Sequence, residues 1–112
     1  MVNTSKRNIE VKGTPEFASY YNSLSDPMLK KLIDNAKQIL RNNPQAGDHI
    51  PRRLWPDEYR KKYKIDNLWL YGLSASDRLP YTLVSDGNQI YCAVLEVLPH
   101  NEYEKRFGYK KS

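Results

Sequence analysis

Two kinds of apolar periodicity divide the chain. Asn8-Ile-Glu-Val-Lys12 alternates polar and apolar side chains, the period-two signature of a short half-buried strand, and Gly13 breaks it. Phe17, Tyr20, Tyr21 and Leu24 then recur at helical spacing behind Thr14-Pro15-Glu16, which supplies a capping hydroxyl and a proline suited to a first helical turn. A second start signal, Ser25-Asp26-Pro27 with Asp26 as N-cap, opens a longer stripe of Leu29, Leu32, Ile33, Ala36, Ile39 and Leu40. This helix is predicted to end between Arg41 and Asn43, where Pro44 and Gly47 stop it. Helices joined so tightly form a helical hairpin, and their two apolar stripes need a common surface to cover.

The second half supplies that surface. Asn67–Leu73, Arg78–Leu83 and Ile90–Leu98 are strand-like runs separated by short turns, of which Asp86-Gly87 followed by Asn88 is a good hairpin signal. Leu79, Tyr81 and Leu83 share one face of the middle strand, and Tyr91, Ala93, Leu95 and Val97 are expected to share one face of the next. Pro80 cannot donate to a ladder, which predicts a bulge or an unpaired stretch near Arg78. The expected fold is α+β: an N-terminal strand, a helical hairpin packed on a small, mainly antiparallel sheet, and a short C-terminal helix. One domain over residues 1–112 accounts for the length, which is enough to bury a core without disulfide or metal staples.

Composition removes several function classes. A single cysteine, Cys92, sits in an apolar run and reads as a small buried hydrophobe; it can form neither an internal disulfide nor a cysteine-rich zinc site, and it suits a reducing cytoplasm. No apolar run approaches the roughly 18 residues of a membrane helix, and the polar start Met1–Asn8 has no signal-peptide core, so a cytoplasmic protein with no membrane association is expected. His49 and His100 are too few for a metal site, and no phosphate-cradling glycine loop, nucleophile elbow or Cys/His pair is present. No metal and no cofactor are expected.

Charge points toward a polyanion. Eighteen Lys and Arg against thirteen Asp and Glu give +5, and the balance is concentrated in one segment. Arg52, Arg53, Arg60, Lys61, Lys62 and Lys64 are interleaved with Trp55, Tyr59 and Tyr63, joining phosphate-neutralising cations to faces that can stack on unpaired bases. The plainer reading of this segment is a solvated loop whose aromatics tuck into the core.

Three motifs carry a resemblance. Asn67-Leu-Trp-Leu-Tyr-Gly-Leu73, Arg78-Leu-Pro-Tyr81 and His100-Asn-Glu-Tyr-Glu-Lys-Arg-Phe-Gly-Tyr109, in this order and spacing, resemble the RelE/ParE superfamily of toxin components in bacterial and archaeal toxin-antitoxin systems. The likeness runs from roughly Ile9 to Tyr109. It implies a cognate antitoxin as partner. It also implies one of two activities: metal-free, ribosome-dependent cleavage of mRNA in RelE-type members, or inhibition of gyrase, without known nuclease activity, in ParE-type members. A non-catalytic homologue that binds RNA or protein belongs with the second alternative.

Metal-free cleavage needs a base for the 2′-hydroxyl, cations for the phosphorane and an acid for the leaving oxygen. By resemblance, Arg78 would hold the phosphate, with its side chain on the face away from the helices. His100 and Tyr103 would move protons, with at least one of them within about 10 Å of the guanidinium so that both can reach one phosphate. Each has a plainer reading: Arg78 as an anchor for the bulge, and His100 as the start of the last helix. Phe107 and Tyr109 are expected to pack the tail onto the sheet. The family nucleases carry basic residues on the preceding strand, where this chain has Leu70 and Gly72, so the basic function falls to Lys61, Lys62 or Lys64, or to the tail. Glu96 is expected on the side of the sheet that Arg78 occupies, as an ion-pair partner or a general base.

Overall fold

The computed structural model describes residues 9–107. Strand β1 (Glu10–Gly13) leads into α1 (Pro15–Ser23), whose N-cap Thr14 accepts a hydrogen bond from Phe17 N–H. Asp26 caps α2 (Pro27–Asn42) by accepting from the N–H groups of Met28 and Leu29. A two-residue strand β2 (Asp48–His49) and a 3-10 turn over Arg52–Leu54 precede α3 (Asp57–Tyr63). Strands β3 (Trp69–Gly72), β4 (Arg78–Ser85) and β5 (Ile90–Val94) form the meander, and α4 (His100–Phe107) closes the described chain. The sheet order is β1-β5-β4-β3-β2; β1 runs parallel to β5 and the other pairings are antiparallel, as the α+β expectation required.

Both faces of this sheet are covered. Ile33, Ala36 and Leu40 of α2 and Phe17 of α1 pack on Leu79, Tyr81, Cys92 and Val94. On the other face Trp55, Tyr59 and Phe107 pack with Leu68, Leu70, Leu95 and Leu98. Burial pushes the Cys92 thiol up to about 12, which leaves it the inert hydrophobe that the sequence implied.

The basic segment is more ordered than a loop. Asp57 and Glu58 at the start of α3 and Arg60, Lys61 and Lys62 at its end match the helix dipole, and Trp55, Tyr59 and Tyr63 fall four residues apart along one side. Lys64 ends the helix in the left-handed region at φ 51°, a C-cap conformation usually given to glycine or asparagine.

Pro80 does produce a bulge. Tyr81 pairs with Val94 and Arg78 with Leu98, so residues 79–80 face residues 95–97, one more on the β5 side. Leu95 N–H donates to the Pro80 carbonyl at 2.9 Å. A residue's N–H and C=O point to the same edge of a strand, so the missing donor of Pro80 falls on the bulged stretch. The bulge also corrects the expected face. Cys92 and Val94, not Tyr91 and Ala93, meet the helical hairpin; Leu95 turns to the opposite core, and the extra residue returns Val97 to the hairpin side.

Candidate functional site

The bulge also carries Arg78 toward α4. Arg78 and Leu98 exchange two backbone hydrogen bonds of 2.8 Å each. Pro99 follows at once, and its carbonyl accepts from Tyr103 N–H at 2.9 Å in the first turn of α4. The helix therefore starts beside Arg78 and brings Tyr103 back over it, with the guanidinium carbon 5.5 Å from the ring centroid. Because Leu79 is in the hairpin core, Arg78 lies on the opposite face, as strand parity required.

The guanidinium is oriented from one side. Its Nη1 donates to the carbonyls of Ser74, Ala75 and Asp77 at 3.2 to 3.3 Å, which fixes the group against the β3–β4 turn. Among the described residues, Nε and Nη2 have no acceptor. Arg78 and Tyr103 line a cleft of about 460 Å³ with Asp48, Ile50, Leu70, Gly72, Ser74 and Ala75. Gly72 pairs with Arg78 across the ladder, and a Cβ there would meet nothing within 4 Å, so the cleft is open at this point. Leu70 contributes only apolar wall, being 5% exposed in the core under α3 and α4.

Other residues singled out from the sequence lie elsewhere. His100 is exposed at the start of α4, its Nε2 3.2 Å from Glu104 Oε2, and it is not among the residues lining the cleft. The cations Arg52, Arg53, Arg60, Lys61, Lys62 and Lys64 are all exposed, yet none lines the cleft. Lys62 instead reaches Glu16 of α1 at 3.0 Å, and its ammonium holds that carboxyl below the usual carboxylate range. Lys64 borders a separate cleft of about 590 Å³ with Asn67, Thr82, Ser85 and Tyr91. The lysines therefore lie outside the cleft that Leu70 and Gly72 line.

The interleaved aromatics also turn inward. Trp55 is buried and donates from Nε1 to the Ile50 carbonyl at 2.8 Å, while Arg52 and Arg60 stack on its ring at 4.6 and 5.9 Å. Tyr59 is buried and donates to Glu96. In this segment the cations lie at the surface and Trp55 and Tyr59 tuck into the core. Glu96 is paired with Arg106 across 3.2 Å, not with Arg78. Phe107 is buried beneath α3, as expected of a packing residue, whereas Tyr109, Lys110 and Lys111 lie outside the described residues.

Asp48 is the cleft residue that sequence reasoning missed. It is exposed on a two-residue strand paired with Leu70, and its flanking residues give no periodic signal. Among the described residues no group of three or more His, Cys, Asp or Glu is placed to hold a metal ion, and no helix is long and apolar enough to cross a membrane.

No protein-family model matches the sequence, and no curated protein matches it. A solved structure does: the YoeB/ParE toxin from Agrobacterium tumefaciens superposes with a TM-score of 0.58, covering 82% of this chain and 99% of that one at 17% identity. This chain shares the fold of that YoeB/ParE toxin. In this fold the cleft lies at the Arg78 end of the β3–β4 hairpin, roofed by α4, and its polar side chains come from β2, the β3–β4 turn, β4 and α4.

Proposed function

We propose that this chain is the toxin component of a toxin-antitoxin pair and that it cleaves mRNA on the ribosome without a metal. The observation that carries the reading is the Arg78–Tyr103 pair at 5.5 Å in an open cleft. An arginine with two donor nitrogens unengaged among the described residues is suited to a phosphate, which it meets bidentately, and it stabilises the charge that grows on a phosphorane. Tyr103 stands where its phenol can exchange a proton with the 2′-hydroxyl or the leaving oxygen, or its ring can stack on a base. Asp48 adds a carboxylate to the wall, and His100 can act where the ribosome or the RNA reaches the start of α4. The cations of α3 and the preceding turn give a long-range attraction for ribosomal RNA that does not require them in the cleft. A cytoplasmic protein with an acidic antitoxin peptide covering these cations fits the same reading, since complementary charge speeds encounter and hides the RNA surface.

One specific feature favours a second reading. With Leu70 buried and Gly72 bare, the strand that would present further basic groups presents none. On that reading the chain is a non-catalytic homologue that binds RNA or protein, or inhibits gyrase. The deciding experiment is induced expression with mapping of transcript ends, beside purified parent and Arg78→Ala chains added to programmed ribosomes. New cuts that depend on ribosomes and on Arg78 support the nuclease. Growth arrest without cuts, or cutting by Arg78→Ala at the parent rate, replaces it with the binder.

A further inference from the structure

Away from the cleft, a cluster of charges joins three separate elements. Arg106 of α4 donates from Nη1 to both carboxylate oxygens of Glu58 on α3, at 2.8 and 2.9 Å. Its Nη2 donates to Glu96 Oε1 at 3.3 Å, and its Nε lies 3.2 Å from Glu96 Oε2. Glu96 belongs to the bulge opposite Pro80 and also accepts from the buried Tyr59 hydroxyl. The Arg106 and Glu96 side chains are only 24% and 22% exposed, so water screens this pair far less than the surface pairs of α4.

The geometry of α4 links this cluster to the cleft. Tyr103, Arg106 and Phe107 stand at i, i+3 and i+4 and therefore share one side of the helix. Phe107 supplies apolar contact, which resists separation but permits rotation. The guanidinium, held by carboxylates on two elements, resists rotation as well. Its flat fork spans both partners, which a lysine ammonium cannot do.

We propose that Arg106 is a positioning residue: by clasping Glu58 and Glu96 it fixes the rotation of α4 and so holds Tyr103 against Arg78. The proposal rests on the reading of Arg78 and Tyr103 as the nuclease pair, but its structural half is testable without RNA. The probe is 3-fluorotyrosine placed at position 103 of the full chain. In the parent, Arg78→Ala is expected to shift the fluorine resonance because the guanidinium carbon lies 5.5 Å from the ring centroid.

In a folded Arg106→Ala chain, the same Arg78 substitution is expected to leave the fluorine signal nearly unmoved, and Arg106→Lys is expected to fall between. Cutting of ribosome-bound RNA should drop roughly 10²-fold in kcat, the scale of an ångström-size misplacement, with KM little changed. Glu58→Ala, at an exposed position, removes half of the clasp and serves if Arg106→Ala does not fold. A fluorine signal that keeps the parent's full dependence on Arg78 in these variants overturns the proposal, whatever their melting temperatures. If the parent itself cuts no RNA, the nuclease reading falls while the fluorine result still decides the positioning.

Discussion

On the hairpin side of the sheet the buried contacts are Phe17, Ile33, Ala36, Leu40, Leu73, Leu79, Cys92, Val94 and Val97, with Tyr81 as a polar exception whose hydroxyl donates to the Pro44 carbonyl and accepts from Gly47 N–H. The α3 and α4 side packs Trp55, Tyr59, Tyr103 and Phe107 with Ile50, Leu68, Leu70, Leu95 and Leu98, and has an ionic clasp at its margin and an open cleft at the Arg78 end. The first side buries apolar area at little polar cost and so carries stability. The second keeps charges half out of water, which costs desolvation but holds their directions. A substitution on one side should therefore change melting far more than activity, and on the other side the reverse.

The largest expected effect tests the first half of that contrast. Ile33→Ala removes a completely buried side chain beneath the sheet and should destabilise the fold by about 2–5 kcal/mol in urea unfolding, while the fraction that remains folded keeps its activity. Loss of activity per folded molecule would show the two sides to be coupled. Arg78→Ala tests the other half. It should lower ribosome-dependent cutting by about 10²–10³-fold, or roughly 2.7–4 kcal/mol of transition-state stabilisation. Its unfolding midpoint should stay close to the parent's, because the side chain's hydrogen bonds tie an exposed turn and its remaining contact is with Tyr103 at the open cleft.

A smaller effect is expected where the two sides meet. A Cβ on Gly47 would stand 2.7 Å from the Leu70 carbonyl and 3.0 Å from the Tyr81 ring, so Gly47→Ala should cost about 1–3 kcal/mol and weaken the Tyr81 hydrogen bond. Denaturation followed by tyrosine fluorescence would read both. Smallest is Lys61→Ala on the exposed surface of α3, expected within about 0.5 kcal/mol of parent stability. In ribosome binding it should reduce the slope of log K against log salt by about 0.7–0.9 if Lys61 meets a phosphate. An unchanged slope would reassign Lys61 to solubility.

The elements with a complete local signal were legible in the sequence. Thr14 and Asp26 cap the two helices as read, the turn at Asp86-Gly87 has its glycine at φ 93°, and Pro80 produced the bulge it implied. For α3 the signals were present but were read as a binding surface. Acidic residues before basic ones describe a short helix, which puts the cations on the surface while Trp55 and Tyr59 are buried in the core. Of the candidate site, strand parity placed Arg78 correctly, and Tyr103 came within reach of it. The α3 cations and His100 did not join the cleft.

Periodicity, caps and turn residues are properties of neighbours along the chain, and they settled which segments become helix or strand and which side of β4 meets the hairpin. Tertiary structure alone decided what lies close across large sequence separations. One extra residue in the bulge turned Leu95 into the second core and Val97 back to the first, and this reversed the face assigned to β5 from simple alternation. It likewise gave Glu96 to Arg106, brought Asp48 to the cleft, and set Gly47 against the Leu70 carbonyl. These contacts depend on register and helix rotation, which are fixed only when both faces of the sheet are packed at once.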